Sequence, residues 1–506
     1  MLDTLKGLVP KDSDLPARAR RVDTLERFRT GAIYDLLPFE FKDEKMPGGD
    51  YIPLEKRKPS VRYGLPMIIV NDTTSMLFGE GHFPALDLGK DEAATKAEGQ
   101  LGDLIKETKL RAVMLDAAVR GSVGSVAVLM RLLKGRIFWT VMQTTFLTPD
   151  WDPEEPDQLL RVTEQYKVDG KVLVERGYPI PEKMQGERWW FRREWSRTAE
   201  TWFMPWPVST TSDAAKLWPP NVVDATRTKT HGLEFVPVEW IKNLPGGDDI
   251  DGASTFEAAL PNAIEIDYQL SQGGRGLKYA SDPTLIIKEP AYQDGGPIHR
   301  SAANALVMNQ GGDAKLLEMS GSGIATVLDY VAKLRYMALE LCGGSRADPE
   351  KLSAAQSGKA MELMNEALIR LADKLRTSYG EGAYINLIRM VLRLAEKYDV
   401  RISGEVVKAG TLPKADKAKI ALKWPPWYAP TAADHASQAT AIKTYRDAGV
   451  VSRRTAIKQI QHDFDVEDVD AELKEIEAEA SSEADLKIRE AAGTRPYEYP
   501  PRQAAE

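Results

Sequence analysis

Several stretches of this chain carry residue types that could do chemistry, and each departs from the pattern its chemistry needs. Ser357-Gly358-Lys359 suggests a phosphate-cradling loop, in which a glycine-rich turn offers N–H groups and a lysine to an anion. That loop requires glycine where Ser353 stands and serine or threonine where Ala360 stands. Gly246-Gly247-Asp248-Asp249-Ile250-Asp251-Gly252 invites a calcium site, yet the twelfth ligand of an EF-hand loop would fall on Ala258, with Glu257 one place early. A linker into a helix capped by Ser254 and Glu257 accounts for the same residues. Gly121-Ser122-Val123-Gly124-Ser125 lacks the Gly-x-Ser-x-Gly order of a nucleophile elbow and precedes strand-like sequence. His82, His231, His299, His435 and His462 are far apart, without a His-x-x-x-His pair or a Cys/His cluster. The single cysteine, Cys342, excludes an internal disulfide and reads as a packed or exposed thiol. Acidic residues are plentiful, but no spacing marks a general acid and base. The expectation is a chain with no catalytic residues, no metal and no cofactor.

The elements that would position any site centre on Gly321 to Lys397. Ile324, Val327, Leu328, Val331, Leu334 and Leu341 recur at helical spacing, as do Ala360, Leu363, Met364, Ala367, Leu368, Leu371 and Leu375. Between them Cys342-Gly343-Gly344-Ser345-Arg346-Ala347-Asp348-Pro349 cannot continue a helix, because the glycines favour a C-cap and Pro349 restricts its predecessor. Ser353-Ala354-Ala355-Gln356 matches a capping box that restarts it. A third helix spans Tyr384 to Lys397. On periodicity alone this is an αα-hairpin in an ordinary core.

With 506 residues, 43% of them hydrophobic and 28% charged, the chain has the material for several domains with a real core. The opening Met1 to Asp14 lacks an apolar signal region, and Val123 to Leu133 is too short to span a bilayer. A net charge of −8 argues against a general nucleic-acid coat, which needs clustered lysine and arginine. Residues 1 to 59 read as a polar, helix-leaning arm whose one basic cluster, Ala17 to Arg21, is expected on a solvated face. Asp91 to Arg120 reads as helical. Val126 to Leu133 and Arg136 to Gln143 read as strands joined by Lys134-Gly135, and Leu160 to Val168 with Lys171 to Arg176 as a second hairpin turned by Asp169-Gly170. Trp189 to Trp206, crossed by Arg192, Arg193 and Arg197, favours half-buried sheet over base stacking. Phe256, Leu260, Ile264 and Leu270 line a helix that Pro261 should kink or restart. Ser281 to Glu289 and Ala305 to Glu318 are candidate strands. Val400 to Ala409 and Lys419 to Trp424 come next as strands, then helices over Thr431 to Asp447, Ser452 to His462 and Glu467 to Ala480, with Ser452 and Asp465 as N-caps.

Three segments carry a resemblance beyond periodicity: Ser357 to Met364, His231-Gly232-Leu233-Glu234-Phe235-Val236-Pro237-Val238, and Pro149 to Pro153 followed by Gln165-Tyr166. In wording and order they resemble portal (connector) proteins of tailed double-stranded DNA bacteriophages. The resemblance implies an α+β fold, a portal-like subunit with an α/β wing, helical stem, small β-containing clip, tunnel-loop helix and helical C-terminal crown. The implied boundaries are 1–252 for arm and wing, 253–280 for the first stem helix, 281–320 for the clip and 321–342 for the second stem helix. They continue with 343–356 for the tunnel loop, 357–430 for long helices and the return to the wing, 431–481 for the crown and 482–506 for a flexible tail.

The same resemblance implies a non-enzymatic ring, of twelve copies in the family, forming a channel at one capsid vertex for DNA packaging and ejection. Its partners would be double-stranded DNA, the terminase large subunit, major capsid and scaffolding proteins, and a head-completion (adaptor) protein, with no membrane. It would reside in the virion and, during assembly, the host cytoplasm. The tunnel loop would present Gly343, Gly344, Ser345, Arg346, Asp348, Glu350 and Lys351 to DNA, the stem helix faces Lys333 and Arg335, and the clip loop Tyr292, Asp294, His299 and Arg300 to the motor or adaptor. Two alternatives stay open: an intracellular enzyme with an unrecognised active site, and a nucleic-acid-binding module.

Overall fold

The computed structural model describes residues 1–10, 16–209, 216–281, 284–290, 308–317, 322–343, 358–428, 431–461 and 468–493. These fall into two compact units, residues 1–347 with 365–427, and residues 348–364 with 428–506. In chain order the elements begin with α1 (Leu2–Leu8), α2 (Ala17–Thr30), α3 (Leu65–Phe78), β1 (Ala85–Asp87), α4 (Glu92–Glu107), α5 (Leu110–Gly121), β2 (Ser125–Leu133) and β3 (Arg136–Gln143). Next come β4 (Leu147–Trp151), β5 (Leu159–Asp169), α6 (Gly170–Glu175), β6 (Arg188–Ser196), β7 (Ala199–Trp202), β8 (Trp206–Pro207), β9 (Lys229–Thr230) and β10 (Val238–Lys242). After α7 (Leu260–Ser281), β11 (Thr284–Pro290) and β12 (Met308–Leu317) lie α8 (Ser322–Leu341), α9 (Gly358–Met364), α10 (Glu366–Leu375), a π-helical stretch (Arg376–Tyr384) and α11 (Ile385–Lys397). The chain closes with β13 (Val400–Ile402), β14 (Glu405–Val407), β15 (Ala421–Lys423), α12 (Ala432–Asp447), α13 (Arg453–Ile460) and α14 (Val469–Gly493). The mixed α+β fold expected from the sequence is what forms.

The central piece is a three-stranded antiparallel sheet in the order β10-β2-β3. Its turn is Lys134-Gly135, with φ of 51° and 78°, the left-handed pair that a two-residue hairpin needs. Both faces of β2 are covered, which explains its unbroken apolar run. Val126, Val128 and Met130 join a helical core with Leu101, Met114, Leu387 and Val391. Ala127 and Leu129 meet Leu147, Val162, Trp195 and Trp240 on the other side. The second layer is a six-stranded antiparallel sheet in which β4, β5, β6, β7 and β9 are successive neighbours and β8 pairs with β6. Along β6, Trp189 and Phe191 lie under α6 with Leu173 and Tyr178, and Trp195 faces the three-stranded sheet. The aromatic residues are therefore sheet core, and their arginines are engaged within it. Arg193 pairs with Glu164 at 2.7 Å, and Arg192 with Glu194.

The second hairpin expected at Asp169-Gly170 does not form. Gly170 starts α6, because β5 pairs along its length with β6 rather than with the residues just after it. The Gly170 N–H donates to Glu187 O at 3.0 Å, and a Cβ there would lie 2.9 Å from Gln185 Cα. The Asp91–Arg120 helix is two helices, separated where Lys109 takes φ of 54°. Val400–Ala409 holds two short strands turned at Ser403-Gly404.

The N-terminal residues are not a solvated arm. Leu5, Val22, Leu25, Phe28, Ile33 and Ile69 share one core with Phe256, Leu260, Ile264, Val331 and Leu334. Polar clamps hold them to α7. Asp267 accepts from Tyr34 Oη at 2.7 Å and from the Tyr63 N–H at 2.6 Å, and Tyr268 Oη donates to Arg57 O at 2.8 Å. Pro261 does not kink α7 but stands where the helix restarts: a 3-10 turn over Glu257–Ala259 gives way to the α-helix at Leu260, and the proline occupies its first turn, where its missing N–H would be unpaired anyway. Ser254 does not cap that helix: its hydroxyl donates to Ser122 O, and Glu257 binds Arg21.

In the other unit, α12 opens on a capping box between Thr431 and Asp434, and α13 on Ser452, whose hydroxyl accepts from Thr455 N–H. Gly449, at φ of 72°, comes just after α12, in the left-handed conformation that glycine favours at a helix stop. The last helix runs past Ser481 to Gly493, where a flexible tail was expected from residue 482. Asp465 and the Ser353–Gln356 capping box lie outside the described residues.

Candidate functional site

Helices α7 and α8 form an antiparallel pair. Asn262 Nδ2 donates to Leu334 O at 3.4 Å at one end, and Gly273 faces Val327 towards the other. A Cβ at Gly273 would sit 3.2 Å from Val327 Cγ1, so the glycine permits the close approach. Val331, Leu334 and Ala338 seal the contact on α8. Burial pushes the Cys342 thiol up to about 11, countered in part by the Ala259 N–H, which leaves it neutral and a poor nucleophile.

The rest of α8 is not covered. At 100° per residue, Asp329, Lys333 and Glu340 make a charged stripe opposite the buried one. Tyr330, Met337 and Leu341 lie together on one flank, with Leu328 and Tyr336 on the other, and all five are at least 45% exposed. The sequence pattern placed Leu328 and Leu341 on the same apolar face as Val331; the structure turns both to solvent. The flank of Tyr330, Met337 and Leu341 was legible as a separate 7- and 4-residue spacing, hidden because one wide apolar face absorbs it.

Of the residues expected in functional loops and faces, Lys333 is exposed on the charged stripe, whereas Arg335 is half-buried about 160° away, beside the packed face. The two do not form one surface. Gly343 ends α8 with φ of 69°, its N–H donating to Glu340 O at 3.0 Å. Gly344, Ser345, Arg346, Asp348, Glu350 and Lys351, and likewise Tyr292, Asp294, His299 and Arg300, lie outside the described residues. The arms flanking that second group, β11 and β12, pair in antiparallel register from Thr284↔Leu317 to Lys288↔Asp313, with a bulge before Pro290↔Met308.

The arginines of the basic cluster at Ala17–Arg21 are each engaged by other groups of the protein, Arg18 largely buried and Arg21 still 40% exposed. Arg18 makes a two-pronged ion pair with Asp251, at 2.7 and 2.8 Å. Its other nitrogen donates to Thr144 O and Leu147 O at 2.9 Å each, and the guanidinium lies over Trp240 at 5.3 Å. Arg20 reaches Lys6 O at 3.2 Å, and Arg21 pairs with Glu257 at 2.9 Å. The aspartates of the glycine-rich loop are spent likewise. Asp251 holds Arg18, and Asp248 accepts from the Ile250 and Asp251 N–H groups, which keep its carboxyl below the usual range. Among the described residues no group of three His, Cys, Asp or Glu side chains could hold a metal, and no helix is long and apolar enough to cross a membrane.

The fold and surface thus define a mixed α+β subunit whose most conspicuous described feature is an open apolar flank on a long helix, rather than a convergence of reactive groups. Residues 310–486 match the family model of the phage portal proteins, SPP1 Gp6-like, which bears out over that segment the portal resemblance of the sequence motifs. The match points to a structural, connector-type role. No curated protein matches the chain. Among solved structures, the neck of an empty GTA particle, computed with C6 symmetry, aligns at 12% identity and a TM-score of 0.40, over 78% of this chain and 89% of the other.

Proposed function

We propose that this chain is a portal subunit whose copies close into a ring, twelve in number, around a channel at one capsid vertex. Double-stranded DNA enters through the channel while the terminase large subunit is docked, and leaves through it on ejection. A head-completion protein takes the motor's place, and scaffolding and major capsid proteins meet the ring during head assembly. The family match over residues 310–486 carries this reading. On it, α7 and α8 are the stem, β11 and β12 the arms of the clip, residues 343–356 the tunnel loop, α12 to α14 the crown, and the two-layer sheet region the wing.

The exposed Tyr330, Met337 and Leu341 flank on α8 supports the reading, since a cyclic head-to-tail interface needs an apolar face that one subunit alone cannot bury. The test is light scattering on a sizing column followed by particle imaging. A closed ring with a central hole is expected. Monomer persisting at high protein concentration, together with a small-molecule shift in melting temperature, would instead favour an enzyme.

A further inference from the structure

The motif His231 to Val238 lines a cavity that neither the stem nor the clip uses. Its volume is about 760 Å³, and it lies between the outer half of β2 and the β7–β9 edge of the larger sheet. Three observations describe what it would accept. First, the charged groups in its otherwise largely apolar lining are mainly cationic: Arg131, Arg193, Arg227 and Lys229 against the carboxylate of Glu200, with Arg193 and Arg227 also paired to Glu164 and Asp224. Glu200 is 3.4 Å from Arg131 and 3.5 Å from Arg193, long for charge-assisted bonds, and exposed Lys229 has no ion-pair partner among the described residues.

Second, the wall is short of acceptors. Arg131 Nε, Trp195 Nε1 and both ring nitrogens of His231 are buried without any hydrogen-bond partner among the described residues. Burial holds the imidazole below its ordinary pKa, so it is neutral with one N–H to give. Buried donors of this kind are destabilising until an acceptor reaches them. Third, a backbone edge opens here. The β10–β2 pairing ends with the Met130 N–H donating to Pro237 O at 2.8 Å, where the chain through His231 to Val236 turns away. By strand alternation the N–H and C=O of Leu132 face the same side as the Met130 N–H, and no described strand pairs with them there.

We propose that this cavity receives an extended acidic segment of a partner protein. The segment adds a strand at Leu132 and sets a carboxylate among Arg131, Lys229 and His231, the side chains turning to meet it. Backbone pairing supplies attachment, and the cationic, donor-rich wall supplies selectivity for acidic over neutral side chains. This goes beyond the portal reading and does not depend on ring formation.

The test uses the full chain and the capped peptide Val-Glu-Val-Glu-Val, its glutamine counterpart and free glutarate, measured by calorimetry. The acidic peptide should bind at least about tenfold tighter than the glutamine peptide, the worth of one such charge contact. Glutarate should bind far more weakly than the peptide. Lys229→Glu should cost about tenfold, and Leu132→Pro, which removes the edge-facing N–H together with a half-buried side chain, should abolish binding. If Leu132→Pro fails to fold, Lys229→Glu decides. Equal or absent binding of the two peptides, acidic binding unchanged in Lys229→Glu, or glutarate binding as tightly as the peptide would each overturn the proposal.

Discussion

Replacing Arg18 by methionine keeps most of the length of the side chain and removes its charge from a largely buried site. Asp251 is 1% exposed and Arg18 15% exposed in their side chains, so the pair is screened little by solvent. Without the guanidinium, the Asp251 carboxylate retains the Ser125 hydroxyl but no directly paired cation, only the more distant Arg21, and the carbonyls of Thr144 and Leu147 each lose a donor. A buried carboxylate stripped of its partner costs about 3–5 kcal/mol, far more than a surface ion pair's ~0–1 kcal/mol. Asp251→Asn alone should also destabilise, by leaving the guanidinium unpaired. In the double variant much of the second cost disappears, giving a coupling of about 2 kcal/mol or more. Denaturant titrations of the four proteins, followed by circular dichroism, measure this cycle. A loss under about 1 kcal/mol for Arg18→Met, or additive single effects, would refute the account of α2 as clamped to the sheet region through one buried charge.

Three further outcomes are expected. Met337→Glu with Leu341→Glu places charge on the open flank of α8 and should leave the melting temperature of the monomer nearly unchanged while shifting sedimentation from ring to monomer; burial of such side chains contributes about 1.5–3 kcal/mol each per interface. Glu239 is desolvated and its carboxyl pushed up to about 8, with Asn386 Nδ2, 3.1 Å away, only partly restoring it. The folded chain therefore keeps a proton that the unfolded chain releases, so stability should fall as pH rises from about 4.5 to about 8. Glu239→Gln should flatten that slope and raise stability at pH 9 by roughly 2–4 kcal/mol, read from melts at pH 5 and 9. A Cβ at Gly380 would lie 2.3 Å from Trp424 Cζ2, a ring already stacked by Arg376 at 4.4 Å. Gly380→Ala should accordingly lower stability by about 1–3 kcal/mol despite alanine's better helix propensity, measured by thermal unfolding.

Local chemistry made part of this protein legible in its sequence. Lys134-Gly135 could only turn tightly, Ser452 stands where a helix needs an acceptor, and Val331 and Leu334 fall on one helical stripe, because each of these is settled within a few residues of chain. The departures from the phosphate-loop and calcium-loop patterns are likewise visible at single positions of the sequence. Contacts distant in sequence decided the rest. Asp169-Gly170 has the composition of a hairpin turn, but β5 gains more by pairing with β6, and the glycine opens a helix instead. Ala17 to Arg21 has the pattern of a solvated basic face. It becomes a clamp only because Asp251, more than two hundred residues away, needs a cation once buried. Leu328 and Leu341 match the periodicity of a core and still face outward, since periodicity fixes which side chains share a face and only packing fixes which face is covered.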